Sequence, residues 1–179
     1  MKRVCVFCGS ATGKNEKYLQ LATRVGEIIA SHRHELVYGG GRVGLMGAVA
    51  DSVMKHGSRV IGVIPKTLMT KEVAHEDVSQ LYVVEGMHER KKMMYDLSDA
   101  FLVIPGGMGT LDEMFEILTW AQLKLHHKPI YLLNEGGFYD HLIAYVKHSA
   151  AEGFIRPEHV NLFQVISSTE DIITVMKKI

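Results

Sequence analysis

The residues Pro105, Gly106, Gly107, Met108, Gly109 and Thr110, with Glu113 three positions further on, place a glycine loop directly in front of a carboxylate. An apolar run ends at Pro105 and a helical pattern begins behind the loop. An anion held there meets backbone N–H groups and the positive end of a helix dipole, and glycines leave room for its approach. Thr110 adds a hydroxyl donor. Glu113 has two readings. Thr110-x-x-Glu113 fits a capping box, worth about 1 kcal/mol, and it equally fits a carboxylate at work beside a bound phosphate. Spacing leaves both open. Asp112 lies about 100° further round the helix and is expected to face elsewhere. Upstream, Arg90 and Lys91 fall early in a helix that starts from the same sheet edge, and the planar fork of Arg90 suits phosphate or hydroxyl oxygens. Lys92 reads as solvated surface.

Two other glycine loops resemble known nucleotide signatures and fall short of them. The run from Gly9 through Ser10 to Asn15, GSATGKN, is one residue shorter than G-x-x-x-x-G-K-[ST] and has Asn15 where a magnesium-binding hydroxyl belongs. The run GGGRVG, from Gly39 through Gly40 and Gly41 to Gly44, matches G-x-G-x-x-G, but the next strand, VIGVIP, ends without the carboxylate that holds a dinucleotide ribose. Neither a nucleoside triphosphatase nor a nicotinamide enzyme is expected. Cys5 and Cys8 have C-x-x-C spacing inside an extended run, where residues three apart point to opposite faces, so they read as reduced cysteines near the core. The 10 histidines form no metal-ligating pattern, and His32, His34, His126 and His127 read as loop or surface residues. No metal or cofactor is expected.

These groups must be positioned by the elements around them. Apolar runs near residues 4–7, 36–38, 60–64, 81–84, 101–104, 130–133 and 163–166 alternate with helical patterns near 16–32, 45–56, 88–98, 111–125, 139–152 and 169–177. Short, mostly continuous apolar strands alternating with helices predict an α/β fold: a Rossmann-like, doubly wound parallel sheet of about seven strands, helices on both faces, in one domain over residues 1–179. The glycine loops then share the carboxyl edge, where such sheets bind ligands. The irregular segment 65–80 is expected to loop over that edge. Lys+Arg and Asp+Glu balance at 20 each, giving no electrostatic reason for a nucleic-acid or membrane partner. With no long apolar span and no signal-peptide core, the expected location is cytoplasmic.

The motifs YGGGRVGLMGAVAD, GVIPKTLM, MHERK, PGGMGTLDE and LTWAQLKLHHKP together resemble the cytokinin riboside monophosphate phosphoribohydrolases, the "Lonely Guy" family, whose members are often labelled possible lysine decarboxylases. The likeness covers nearly the whole chain. It implies hydrolysis of the N-glycosidic bond of AMP or N6-modified AMP, a homodimer, Arg90 and Glu113 as the catalytic pair, and Gly106 to Thr110 as the phosphate loop. Lys91, Glu72 and Thr119 are implied substrate contacts, and Gly9, Ser10, Gly40 and Gly41 join them from the neighbouring loops. Departures at Glu85-Gly86 and at Lys124, which stands where the family usually has glycine, leave the pair intact. The methionines Met87, Met93, Met94 and Met108 suit an apolar substituent or a core. The apolar residues of the 111–125 helix exceed one stripe, leaving some for a partner subunit or a second internal contact. A non-enzymatic nucleotide carrier on the same fold is the alternative, and Glu113 distinguishes them, since a carrier has no use for a carboxylate beside the scissile bond.

Overall fold

The structure, a computed structural model, describes residues 1–69 and 73–179. Seven parallel strands, β1 (Arg3–Phe7), β2 (Glu35–Tyr38), β3 (Val60–Pro65), β4 (Gln80–Val84), β5 (Ala100–Val103), β6 (Ile130–Leu133) and β7 (Gln164–Ile166), form one sheet in the order β4-β3-β2-β1-β5-β6-β7. The chain builds outward from β1 through β2 and β3 to β4. It then crosses back to lay β5 on the other side of β1. That reversal opens a crevice at the carboxyl ends of β1 and β5.

Sequence alternation sets the two cores. Val4 and Val6 of β1, with Leu36 and Tyr38 of β2, pack under α1 (Lys17–Ser31), α2 (Gly44–Lys55) and, at the far end, α7 (Thr169–Met176). Cys5, Phe7 and Val37 point the other way, toward α4 (Met87–Leu97), α5 (Met108–Gln122) and α6 (Asp140–Ala151). The inner strands are buried on both faces, which is why they read as unbroken apolar runs, while β4 and β7 are partly exposed edges. The two cysteines are free and buried, one in each core, as their spacing predicts.

Three expectations need correction. Segment 65–80 is not all loop, because α3 (Lys66–Met69) forms one helical turn within it. His34 and His126 are buried, not surface residues. Each has both ring nitrogens within hydrogen-bond reach of main-chain atoms: His34 of Lys2 N and Met176 O, His126 of Lys128 N and Ile117 O. Saturated this way, a neutral imidazole is tolerated in a core. The third correction concerns the start of α5. Gly107 caps it through backbone alone, and Thr110 is already the third residue of the helix, so no capping box forms.

Candidate active site

The loop between β5 and α5 is stitched to its neighbours by main-chain bonds. Gly9 N–H donates to Pro105 O at 3.1 Å, Leu45 N–H donates to Gly9 O at 3.0 Å, and the Tyr139 hydroxyl donates to Ile104 O at 2.8 Å. The three glycines of the loop have different duties. A Cβ on Gly106 would lie 2.1 Å from Thr110 Oγ1 and 2.8 Å from Gly9 N, so that position must be bare for the loops to pack. A Cβ on Gly107 or Gly109 would meet nothing within 4 Å. Those two keep the space in front of the helix N-terminus clear. Here the unpaired N–H groups of the first turn face an opening suited to an anion.

Behind that opening sits a buried ion pair. Arg90 Nη1 donates to Glu113 Oε1 at 3.1 Å, Nε donates to Val63 O at 3.1 Å, and Nη2 donates to Gly39 O at 3.2 Å. Arg90 is 7% and Glu113 8% exposed. Arg90 is therefore no solvated surface cation: its guanidinium is turned into the sheet edge. Burial pushes the Glu113 carboxyl up to about 7, against the opposing pull of Arg90. Such a group is poised to change charge near neutral pH.

A cavity of about 250 Å³ joins these parts, lined by Gly9, Ser10, Arg90, Gly107, Met108, Gly109, Thr110 and Glu113. Cys8, Met46 and Leu68 complete its wall. An apolar hollow of about 240 Å³ adjoins it across Gly9, Ser10 and Gly107, walled by Tyr18, Leu45 and Phe138. Together the two reach the size range of small-ligand sites.

Other expected residues fall elsewhere. Gly40 and Gly41 do not line the cavity. Gly40, at φ +75°, accepts the His75 N–H, and Gly41 bridges to Ala74. Their work is to fix the loop after β2. Lys91 also turns away, because neighbours on a helix diverge by about 100°. Its ammonium lies 3.1 Å from Asp112 and 2.8 Å from Glu116. Burial opposes that charge, but the two carboxylates outweigh it and hold the pKa above its ordinary value. Thr119 lies more than two turns down α5 from Thr110, donating to Phe115 O at 2.7 Å. Lys91 and Thr119 line a separate open depression with Met108, Leu111, Phe115 and Trp120. Glu72 lies outside the described residues. Sequence reasoning missed Cys8, Met46, Leu68 and the carbonyl of Gly39. Cys8, Leu68 and Gly39 sit within three residues of a strand end on the carboxyl edge, and Met46 sits in the first turn of the helix after β2.

Comparison with known proteins decides the family. A family model described as "Possible lysine decarboxylase" matches residues 46–176. A protein of Oryza sativa subsp. japonica, named "Probable cytokinin riboside 5'-monophosphate phosphoribohydrolase", is 52% identical over 162 residues, covering 90% of this chain and 71% of the relative. The cytokinin riboside 5'-monophosphate phosphoribohydrolase of Rhodococcoides fascians is 49% identical over 157 residues, covering 87% and 79%. The chain belongs to the cytokinin riboside 5'-monophosphate phosphoribohydrolase family. Among solved structures, the molybdenum cofactor binding protein of Rippkaea orientalis superposes with a TM-score of 0.74, 22% identity and coverage of 99% and 97%, a likeness of fold alone. The backbone bears on the departure at Lys124. This residue sits just past the end of α5 with φ +60°, a left-handed position where glycine is the unstrained choice.

Proposed function

We propose that this chain hydrolyses the N-glycosidic bond of AMP or of an N6-modified AMP, a cytokinin riboside 5'-monophosphate, releasing the adenine-type base and ribose 5-phosphate. One observation carries the reading: a carboxyl held near neutrality inside a cavity whose mouth is an anion-binding helix terminus. The 5'-phosphate sits on the N–H groups of the first turn of α5, with Gly107 and Gly109 making room and Thr110 beside them. The ribose then reaches Glu113. As the C1'–N9 bond breaks, its electron pair leaves on the base and positive charge builds at C1'. The Glu113 carboxylate opposes that charge and orients the attacking water. Water adds to C1', one proton is lost from it, and one proton joins the base. Arg90 holds the carboxylate in place, since it is bonded to Glu113 and two carbonyls at once.

Decarboxylation of lysine is disfavoured by the residues themselves. A pyridoxal-type reaction requires a Schiff-base lysine, and none of the described residues lining the cavity is lysine. A nucleotide carrier is disfavoured by Glu113, because burying a carboxyl beside an anionic ligand opposes simple binding. In the same reading the active protein is a homodimer, whose partner covers the depression at Met108, Leu111, Phe115 and Trp120. Among the described residues no helix is long and apolar enough to cross a membrane. Two free thiols suit a reducing compartment, and we place the protein in the cytoplasm.

Incubating the purified protein with AMP and separating the products by chromatography tests the assignment. Adenine and ribose 5-phosphate are expected, with adenosine a far poorer substrate because it lacks the group that the loop holds. AMP and prenylated AMP that both persist over hours, beside an active control enzyme, would move the assignment to a carrier.

A further inference from the structure

The third nitrogen of Arg90 bonds to Gly39, the first glycine of the GGGRVG run, to which the sequence assigned no role. Gly39 directly follows β2 and is separated from Arg90 by 51 positions, yet its carbonyl accepts from Nη2 at 3.2 Å. No room is left there for a side chain. A Cβ built on Gly39 would stand 1.8 Å from Arg90 Nη2 and 3.0 Å from Cζ. Its next neighbour is Met46 Sδ at 3.2 Å, the flexible end of a thioether. Gly39 is not among the glycines with positive φ, so its backbone accepts a side chain. What forbids a side chain there is the guanidinium itself.

We infer that Gly39 is a positioning residue for catalysis, the bare floor on which Arg90 lies so that it meets Glu113. This rests on the hydrolytic reading above only for its kinetic consequence. Three acceptors on three segments define the guanidinium plane: Val63 O on β3, Gly39 O just after β2, and Glu113 Oε1 on α5. A methyl group at position 39 lifts the plane off this floor and lengthens the bond to Glu113. The carboxyl is also faced by Lys91 from α4, by Asp112 and Glu116 on its own helix, and by the buried Cys5 of β1 and Cys8 just beyond it. Among these groups Arg90 exerts the largest downward pull on Glu113. Its displacement raises the carboxyl further, leaving less of it ionised at neutral pH.

The test is a cycle of four proteins: parent, Gly39→Ala, Arg90→Ala and the double variant. Glu113 is titrated by carboxyl NMR in each, and AMP hydrolysis is followed against pH. Gly39→Ala is expected to move the Glu113 midpoint up by about one pH unit. Turnover at neutral pH should fall about a hundredfold, as for a misplacement of about 1 Å. In the Arg90→Ala background the same substitution should leave the Glu113 midpoint where it was. A parental midpoint and parental rate in Gly39→Ala would overturn the inference, as would an equal midpoint change in both backgrounds. Where Gly39→Ala alone does not fold, urea unfolding compares the double variant with Arg90→Ala: the two should be equally stable, because the clash is gone. A double variant clearly less stable than Arg90→Ala shows that Arg90 is not the constraint and overturns the inference. The titration arm is independent of turnover: a parent protein that leaves AMP intact sinks the proposed reaction without touching the role of Gly39.

Discussion

Replacing Glu113 by Gln removes one charge and little else. The amide oxygen can still accept from Arg90 Nη1, which now lies 3.1 Å from Glu113 Oε1. Two magnitudes follow. If the carboxylate opposes positive charge at C1', its loss lowers kcat by about a hundredfold or more, as for other fixed electrostatic stabilisers. The parent's kcat/KM should rise as pH climbs through about 7, where Glu113 ionises, and the variant should lose that step. The second magnitude concerns stability. Folding lifts this carboxyl from 4.5 to about 7, so between those values the folded state binds more protons than the unfolded state. Parental stability therefore falls as pH rises across that window, by about 3 kcal/mol in all at about 1.4 kcal/mol per pKa unit. The glutamine has no proton to lose. The stability difference between the two proteins should move toward the variant by that amount. Urea unfolding of both at about pH 5 and about pH 8 measures it, and chromatography of adenine measures turnover. A folded variant that hydrolyses AMP at near the parental rate shows that the charge has no catalytic duty. A stability gap that ignores pH shows that the carboxyl is not desolvated.

Gly109→Ala separates stability from function, because the added methyl meets no protein atom. Calorimetry should show a gain of up to about 1 kcal/mol from helix propensity, while the KM for AMP rises at least tenfold as the methyl enters the anion site; an unchanged KM removes the phosphate from that loop. Lys124→Gly relieves a left-handed residue at φ +60° and should raise stability by about 1 kcal/mol in thermal unfolding, with turnover unaffected. Light scattering at micromolar concentration should give about twice the 20.0 kDa of one chain. A monomer mass would leave the Phe115 and Trp120 depression without the partner proposed for it.

Much of the fold was legible because its signals are local. Unbroken apolar runs such as those of β5 and β6 mark strands buried on both faces, and glycines at strand ends mark the carboxyl edge. The glycine loop after β5 was equally legible, since a glycine run between a strand and a helix is a contiguous feature. Placement of Arg90 and Glu113 in one site came from likeness to a family, and spacing alone left Glu113 as either a cap or a carboxylate at work on a ligand. The structure removed the cap. The helix begins at Met108, two residues before Thr110, which places Thr110 inside the first turn and turns Glu113 toward Arg90 on another helix. The same limit hid the buried histidines, whose partners lie up to 142 positions away, and it hid Gly39. The demand for a bare position there comes from a guanidinium 51 positions further along the chain. A sequence displays periodicity and turn chemistry because neighbouring residues carry them. Which side chain meets which across the sheet edge depends on where the crossover from β4 to β5 lays the strands, and that is settled only when the whole sheet has formed.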